Sequence, residues 1–181
     1  MNVKLWKGSR NDLSDPIGTI MENRGVEDYK TYMNLDDSCL NSPWELGNME
    51  DAVRLLNKHI WNKSIISILV DCDVDGFTSA SMMFQYLKTI GYFGKINVLH
   101  HSGKEHGLSK EIEVPPETTL LIIPDAGSND VEQCKELREK GIDILILDHH
   151  ICDRENPYAV IVNNQNGTYP NKELSGAGVV Y

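Results

Sequence analysis

The chain is poor in cysteine and has none of it paired. Cys39, Cys72, Cys134 and Cys152 are far apart with no CxxC among them, which excludes a disulfide framework and a zinc knuckle and predicts reduced thiols. No apolar run approaches the ~20 residues that a membrane helix needs. Met1 to Arg10 lack the apolar centre of a signal peptide, so a cytoplasmic protein with no membrane partner is expected. Internal repeats, low-complexity tracts and coiled-coil heptads are absent as well. Positive charge is scarce: 17 Lys and Arg stand against 27 Asp and Glu, a net charge of −10. Non-specific affinity for nucleic acid comes mostly from Lys and Arg neutralising phosphates, so a general electrostatic grip on a polyanion is excluded. Any polyanion must bind locally. Concentrated carboxylates then become candidate metal ligands, because a bound cation reverses the charge that a substrate phosphate meets.

What is present is ordinary for a globular protein. The 181 residues are 40% hydrophobic and 24% charged, enough for one substantial domain and a smaller appendage. Residues 1–62 hold no long strand-like run and read as a helical lead-in. Asp15-Pro16 opens one helix, Asn23-Arg24-Gly25 closes it, and Val26 to Met33 suggests another. Met49, Ala52, Val53, Leu55, Leu56 and Ile60 recur at helical spacing and predict a helix over Met49 to Trp61.

From residue 63 to 181 the pattern alternates. Ile65 to Val70 is a β-branched apolar run, and Thr78 to Ile90 is helical in pattern up to Gly91. Further strands are predicted at Lys95 to Leu99, Thr119 to Ile123, Ile142 to Leu147 and Ala159 to Val162, with a helix over Asp130 to Lys140. Strands this apolar are buried on both faces, and their alternation with helices predicts an α/β domain whose mainly parallel sheet is flanked by helices.

Three of these strands run into acid. The first is followed by Asp71-Cys72-Asp73-Val74-Asp75-Gly76, the third by Pro124-Asp125, and the fourth by Asp148-His149-His150. Ligands of open parallel sheets bind outside the carboxyl ends of the strands, so these segments should converge on one edge. An isolated Asp at a strand end is commonly a helix cap, and Asp75-Gly76 alone reads as a turn. Five carboxylates gathered in a small volume are different, because like charges raise one another's pKa unless a cation lies between them. Carboxylate oxygen with imidazole nitrogen favours Mn²⁺, with Mg²⁺ the alternative, and such a set has room for two ions.

These motifs resemble a known family. Asp71 to Ser79 resembles the first motif of the DHH phosphoesterases, Asp125 fits the second, and Asp148-His149-His150 is the triplet that names them. The closer likeness is to the RecJ-type single-strand exonucleases, supported by Glu22 to Val26, Met49 to Val53 and Ser175 to Val179. The resemblance implies Asp71, Asp73, Asp75, Asp125 and His149 as metal ligands, His150 as the contact to substrate phosphate or leaving group, and Asp148 as a catalytic-site acid that orients its neighbours or bridges the ions. It implies hydrolysis of phosphodiester bonds in single-stranded nucleic acid, DNA above all, by water activated between two metal ions. A histidine found in many family members is replaced here by Leu69, and the family's further metal-binding aspartate and second domain lie downstream of Tyr181. The resemblance therefore implies a catalytic part truncated at its C-terminal end, weakly active or inactive alone.

Other residues extend the substrate reading. Lys104 and His106, in the loop after the second predicted strand, are candidates for a phosphate contact, as are Ser175 and Gly176 at the last helix start. Trp6, Trp44 and Trp61 are of the kind that stacks on bases, although core or helix packing is the expected role. The same motifs also suit a phosphodiesterase of oligonucleotides or cyclic dinucleotides, and a non-catalytic scaffold in a replication or repair assembly would keep the fold without turnover.

Overall fold

The computed structural model describes residue 8 and residues 10–181, and the chain divides between Asn41 and Ser42 into two compact units. The first unit holds two short helices. Helix α1 (Pro16–Asn23) starts at Asp15, whose carboxylate accepts the Gly18 N–H, with Pro16 in the first turn where its missing N–H costs nothing. Gly25, at φ +85°, turns the chain away from the helix end. Helix α2 (Tyr29–Met33) is capped in the same manner by Asp28. Arg10 ties this unit together through ion pairs with Asp12, Asp15 and Glu22.

The second unit contains helix α3 (Met49–Trp61), strand β1 (Ile66–Val70), helix α4 (Val74–Thr89), strands β2 (Ile96–His100) and β3 (Leu120–Pro124), helix α5 (Val131–Glu139), strands β4 (Asp143–Asp148) and β5 (Val160–Asn163), and helix α6 (Gly176–Val180). The five strands form one sheet in the order β2-β1-β3-β4-β5, with every pairing parallel. The expected α/β class and parallel sheet are thus observed. Helix α3 belongs to this second unit, not to the lead-in over residues 1–62. Its apolar stripe of Met49, Ala52, Leu55 and Leu56 packs on the same core as β1 and β3.

Alternation along the buried strands separates two cores. Ile66, Ile68, Val70, Leu120, Ile122, Leu145 and Leu147 pack with α3, α4 and α6 on one face. Leu69, Leu121, Ile123, Ile144 and Ile146 pack with Cys134 and Leu137 of α5 on the other. Because all strands run the same way, the segments after β1, β3 and β4 leave the sheet at one edge. Strand order also reverses between β1 and β3, the switch point where open α/β sheets form their crevice.

Two expectations need correction. The helix after β1 begins at Val74, four residues before the predicted Thr78: the Asp73 side chain accepts the Gly76 N–H at 3.0 Å and caps α4. Apolar periodicity conceals that start, since Asp73 at the cap and Asp75 and Gly76 in the first turn break it. A Cβ on Gly76 would lie 2.5 Å from Cβ of Asp71 and 2.8 Å from its Cα, so only glycine lets α4 begin this close to the end of β1. Trp44 and Trp61, expected to pack in a core or between helices, are 63% and 84% exposed and belong to neither core. Trp6 lies outside the described residues.

Candidate metal centre

The ends of β1, β3 and β4 place their acids side by side on the carboxyl edge of the sheet. Asp71, Asp125 and Asp148 are each almost wholly buried, at 2%, 1% and 1% exposure. Among the described residues none of these three, nor Asp73 or Asp75, has a lysine or arginine within ion-pair distance; the basic groups beside them are imidazoles.

Asp125 is the most strained member of the set. Its backbone adopts φ +77°, a left-handed conformation uncommon outside glycine and tolerated best by Asn and Asp. The carboxylate is driven inward, where Oδ1 is buried and has no hydrogen-bond partner, with Nε2 of His149 3.2 Å away. Burial, and then the charges of Asp75, Asp73 and Asp71, push its carboxyl up to about 8. Gly176 makes this position possible from the far side, since a Cβ there would lie 2.1 Å from the same Oδ1.

Asp148 has the opposite character. Its Oδ1 accepts the backbone N–H groups of His149 and His150 at 2.7 and 3.1 Å and meets Nδ1 of His150 at 2.8 Å, while Oδ2 accepts the Ser128 N–H at 3.0 Å. A carboxylate this fully engaged orients its neighbours. Asn163, at the end of β5, supports the same turn by donating to the Ser128 hydroxyl and the His150 carbonyl. The His150 ring is more than half exposed. Partial burial works against its cationic form, but the bond to Asp148 and that residue's charge outweigh it and raise the imidazole above its usual range.

Asp75 faces two ways. Its oxygens accept the Gly176 and Ala177 N–H groups at 2.7 and 2.9 Å, and Oδ2 lies 3.6 Å from Nε2 of His149. Partial burial opposes ionisation, yet the Ala177 and Gly176 N–H bonds prevail and hold this carboxyl below the ordinary range. Asp71 accepts the Gly107 N–H at 2.9 Å and bonds His106 Nδ1 at 2.6 Å.

Three sets of side chains offer donor atoms that lie within 4.8 Å of one another: Asp125 with His149 and His150, Asp71 with Asp73 and Asp125, and Asp71 with Cys72 and His106. Asp125 is common to the first two. The orphaned buried Oδ1 suits a cation, because an uncompensated acceptor of this kind is costly without one. Carboxylate oxygen with imidazole nitrogen suits Mn²⁺.

The fold therefore gathers Asp71, Asp73, Asp75, Asp125, Asp148, His149 and His150, and it adds His106 through the loop after β2. Lys104 remains exposed on that loop, while the Ser175 hydroxyl accepts the Gly178 N–H and caps α6. Sequence reasoning missed the supporting residues Ser128 and Asn163, which sit in no motif, and the inward turn of His101, whose position next to His100 gave no sign of burial.

Residues 65–181 match the DHH family, N-terminal domain. A putative SPbeta prophage-derived single-strand DNA-specific exonuclease, YorK of Bacillus subtilis, is 41% identical over 168 residues, covering 92% of this chain and 29% of the relative. The single-stranded-DNA-specific exonuclease RecJ of the same bacterium is 29% identical over 184 residues, covering 91% of this chain and 22% of the relative. The crystal structure of an exonuclease RecJ bound to manganese superposes with a TM-score of 0.68 at 22% identity, over 78% of this chain and 37% of that one. The chain thus spans less than a third of the length of these two curated relatives. No helix among the described residues is long and apolar enough to cross a membrane.

Proposed function

This chain belongs to the DHH family, and from that premise we propose that it carries the metal-binding catalytic part of a single-stranded-DNA exonuclease that uses Mn²⁺, two ions in the complete site. The observation that carries the reading is Asp125, a buried carboxylate with an unpartnered oxygen at the meeting point of two ligand sets. The relatives' names as single-strand DNA-specific exonucleases supply the substrate class.

Asp71, Asp73, Asp75, Asp125 and His149 would hold the metal. When bound, it supplies Lewis acidity and an activated water for in-line attack on phosphorus. The protein's own residues do the rest. Asp148 fixes the turn that carries both imidazoles, so His149 presents Nε2 to Asp125 and Asp75 without a search through rotamers. The exposed His150, its cationic form favoured by Asp148, would donate a hydrogen bond to a phosphate oxygen or a proton to the leaving oxygen. Gly176 and Ala177 hold Asp75 by their N–H groups and keep its carboxylate ionised.

The test is incubation of 5′-labelled single-stranded DNA with this chain and with the longer relatives' counterpart variants, with and without Mn²⁺. Shortening of the strand that requires Mn²⁺ and is lost in Asp73→Ala and His149→Ala, with circular dichroism unchanged, is the expected result. Hydrolysis that survives both substitutions would overturn the assignment.

A further inference from the structure

The third ligand set differs in kind from the other two. Asp71, Cys72 and His106 bring together one oxygen, one sulfur and one nitrogen donor within 4.8 Å. The Cys72 Sγ lies 3.5 Å from Nε2 and 3.7 Å from Nδ1 of His106, and Nδ1 is 2.6 Å from Asp71 Oδ2. A second observation points to the same place. The His101 side chain is 2% exposed, both its ring nitrogens lack a hydrogen-bond partner, and Nε2 is aimed at Asp71 Oδ1 from 3.9 Å. A buried imidazole with neither nitrogen satisfied is unusual, because an unpaired buried polar atom costs free energy that a partner would recover.

Zinc bonds of about 2.0 Å to nitrogen or oxygen and about 2.3 Å to sulfur, meeting at a tetrahedral angle, place donor atoms roughly 3.5 Å apart. The spacing between Cys72 and His106 is of that size, and the short His106–Asp71 contact is the hydrogen bond the pair makes with each other. Three donors of mixed softness leave the fourth tetrahedral position to a water or a substrate atom. We propose that Asp71, Cys72 and His106 form a distinct site for a borderline-soft divalent cation, Zn²⁺ by preference, beside the oxygen-rich centre, with the unsatisfied His101 imidazole facing the shared Asp71. A thiolate discriminates for Zn²⁺ or Co²⁺ and against Mn²⁺ and Mg²⁺, which prefer oxygen. Occupation releases the thiol proton of Cys72 to solvent and exchanges the His106–Asp71 hydrogen bond for two bonds to the ion. The site sits on the loop that reaches Asp71 from β2, so occupation also pins Gly107 and Leu108 at the edge of the sheet. Asp71 is a member of both sets, so the two kinds of ion are coupled through it.

The test uses Co²⁺ alone as the probe, added to the full chain in the presence of saturating Mn²⁺. One equivalent is expected to produce a near-ultraviolet thiolate-to-cobalt charge-transfer band together with the intense visible bands of a four-coordinate ion. Cys72→Ser, half-exposed and close to isosteric, should remove the charge-transfer band while circular dichroism and the Mn²⁺ titration are retained. His106→Ala should weaken Co²⁺ binding by about tenfold or more. Binding of Co²⁺ with no thiolate band would overturn the site, and so would a band that persists in Cys72→Ser, since it would then arise from Cys39, Cys134 or Cys152. Loss of Mn²⁺ binding in the unsubstituted chain would instead count against the proposed catalytic centre, so the two readings fail separately.

Discussion

The two ends of strand β4 handle a carboxylate in opposite ways. At its start, Asp143 is surrounded by hydrogen-bond donors: Lys58 Nζ at 2.8 Å, His59 Nε2 at 2.9 Å, and the Arg138 guanidinium. Burial opposes its ionisation, but the bonds from Lys58, His59 and Arg138 pull the carboxyl down to about 2. At the other end, the acids gathered around Asp125 and Asp148 have no lysine or arginine partner among the described residues, and Asp125 is pushed up to about 8. The same side chain thus stabilises the fold on the amino edge and strains it on the carboxyl edge. The difference locates function: charge left uncompensated by the protein is where an exogenous cation belongs.

The largest expected effect breaks the carboxyl edge. Asp125→Asn keeps a residue that tolerates φ +77° but removes the charge, and should weaken Mn²⁺ binding by a hundredfold or more in calorimetry. Asp148→Asn should come next. It loosens the turn carrying His149 and His150 without touching a proposed ligand, and a loss of about 10- to 100-fold in Mn²⁺ affinity is expected from calorimetry. Gly176→Ala places a methyl group against Asp125 Oδ1, and a weakening of about tenfold in the same titration is expected as that carboxylate is displaced.

The amino edge supplies the contrast. Asp143→Asn should leave Mn²⁺ affinity unchanged but lower stability to urea at pH 7 by at most about 2 kcal/mol, the equivalent of a shift from 3.8 to about 2, with Lys58 partly screened by solvent. The sign follows from the depressed folded-state value. This stabilisation is complete above the unfolded pKa near 3.8 and disappears as pH falls towards 2, so the two proteins should converge in stability across that window.

How much of this was legible in the sequence depends on which physical signal carried it. Strands such as Leu120–Pro124 were readable because burial on both faces demands an unbroken apolar run. The convergence of Asp71, Asp125 and Asp148 was readable because parallel strands must end on one edge. The start of α4 was not, since Asp73 and Asp75 interrupt apolar periodicity at the very point where Asp73 caps the helix. Nor were the engagement of Asp75 with Gly176 and Ala177, about a hundred residues away, or the inward turn of His101: both arise from tertiary contacts that leave no local pattern.

Thermal unfolding of the metal-free chain against Mn²⁺ concentration tests the central claim most directly. If the carboxyl edge is held in strain for want of a cation, Tm should climb with Mn²⁺, by the equivalent of about 2.7 kcal/mol at a hundredfold excess over Kd. Asp125→Asn should start from a higher metal-free Tm and show no climb. A Tm indifferent to Mn²⁺ in the unsubstituted chain, or a climb of equal size in Asp125→Asn, would contradict the account.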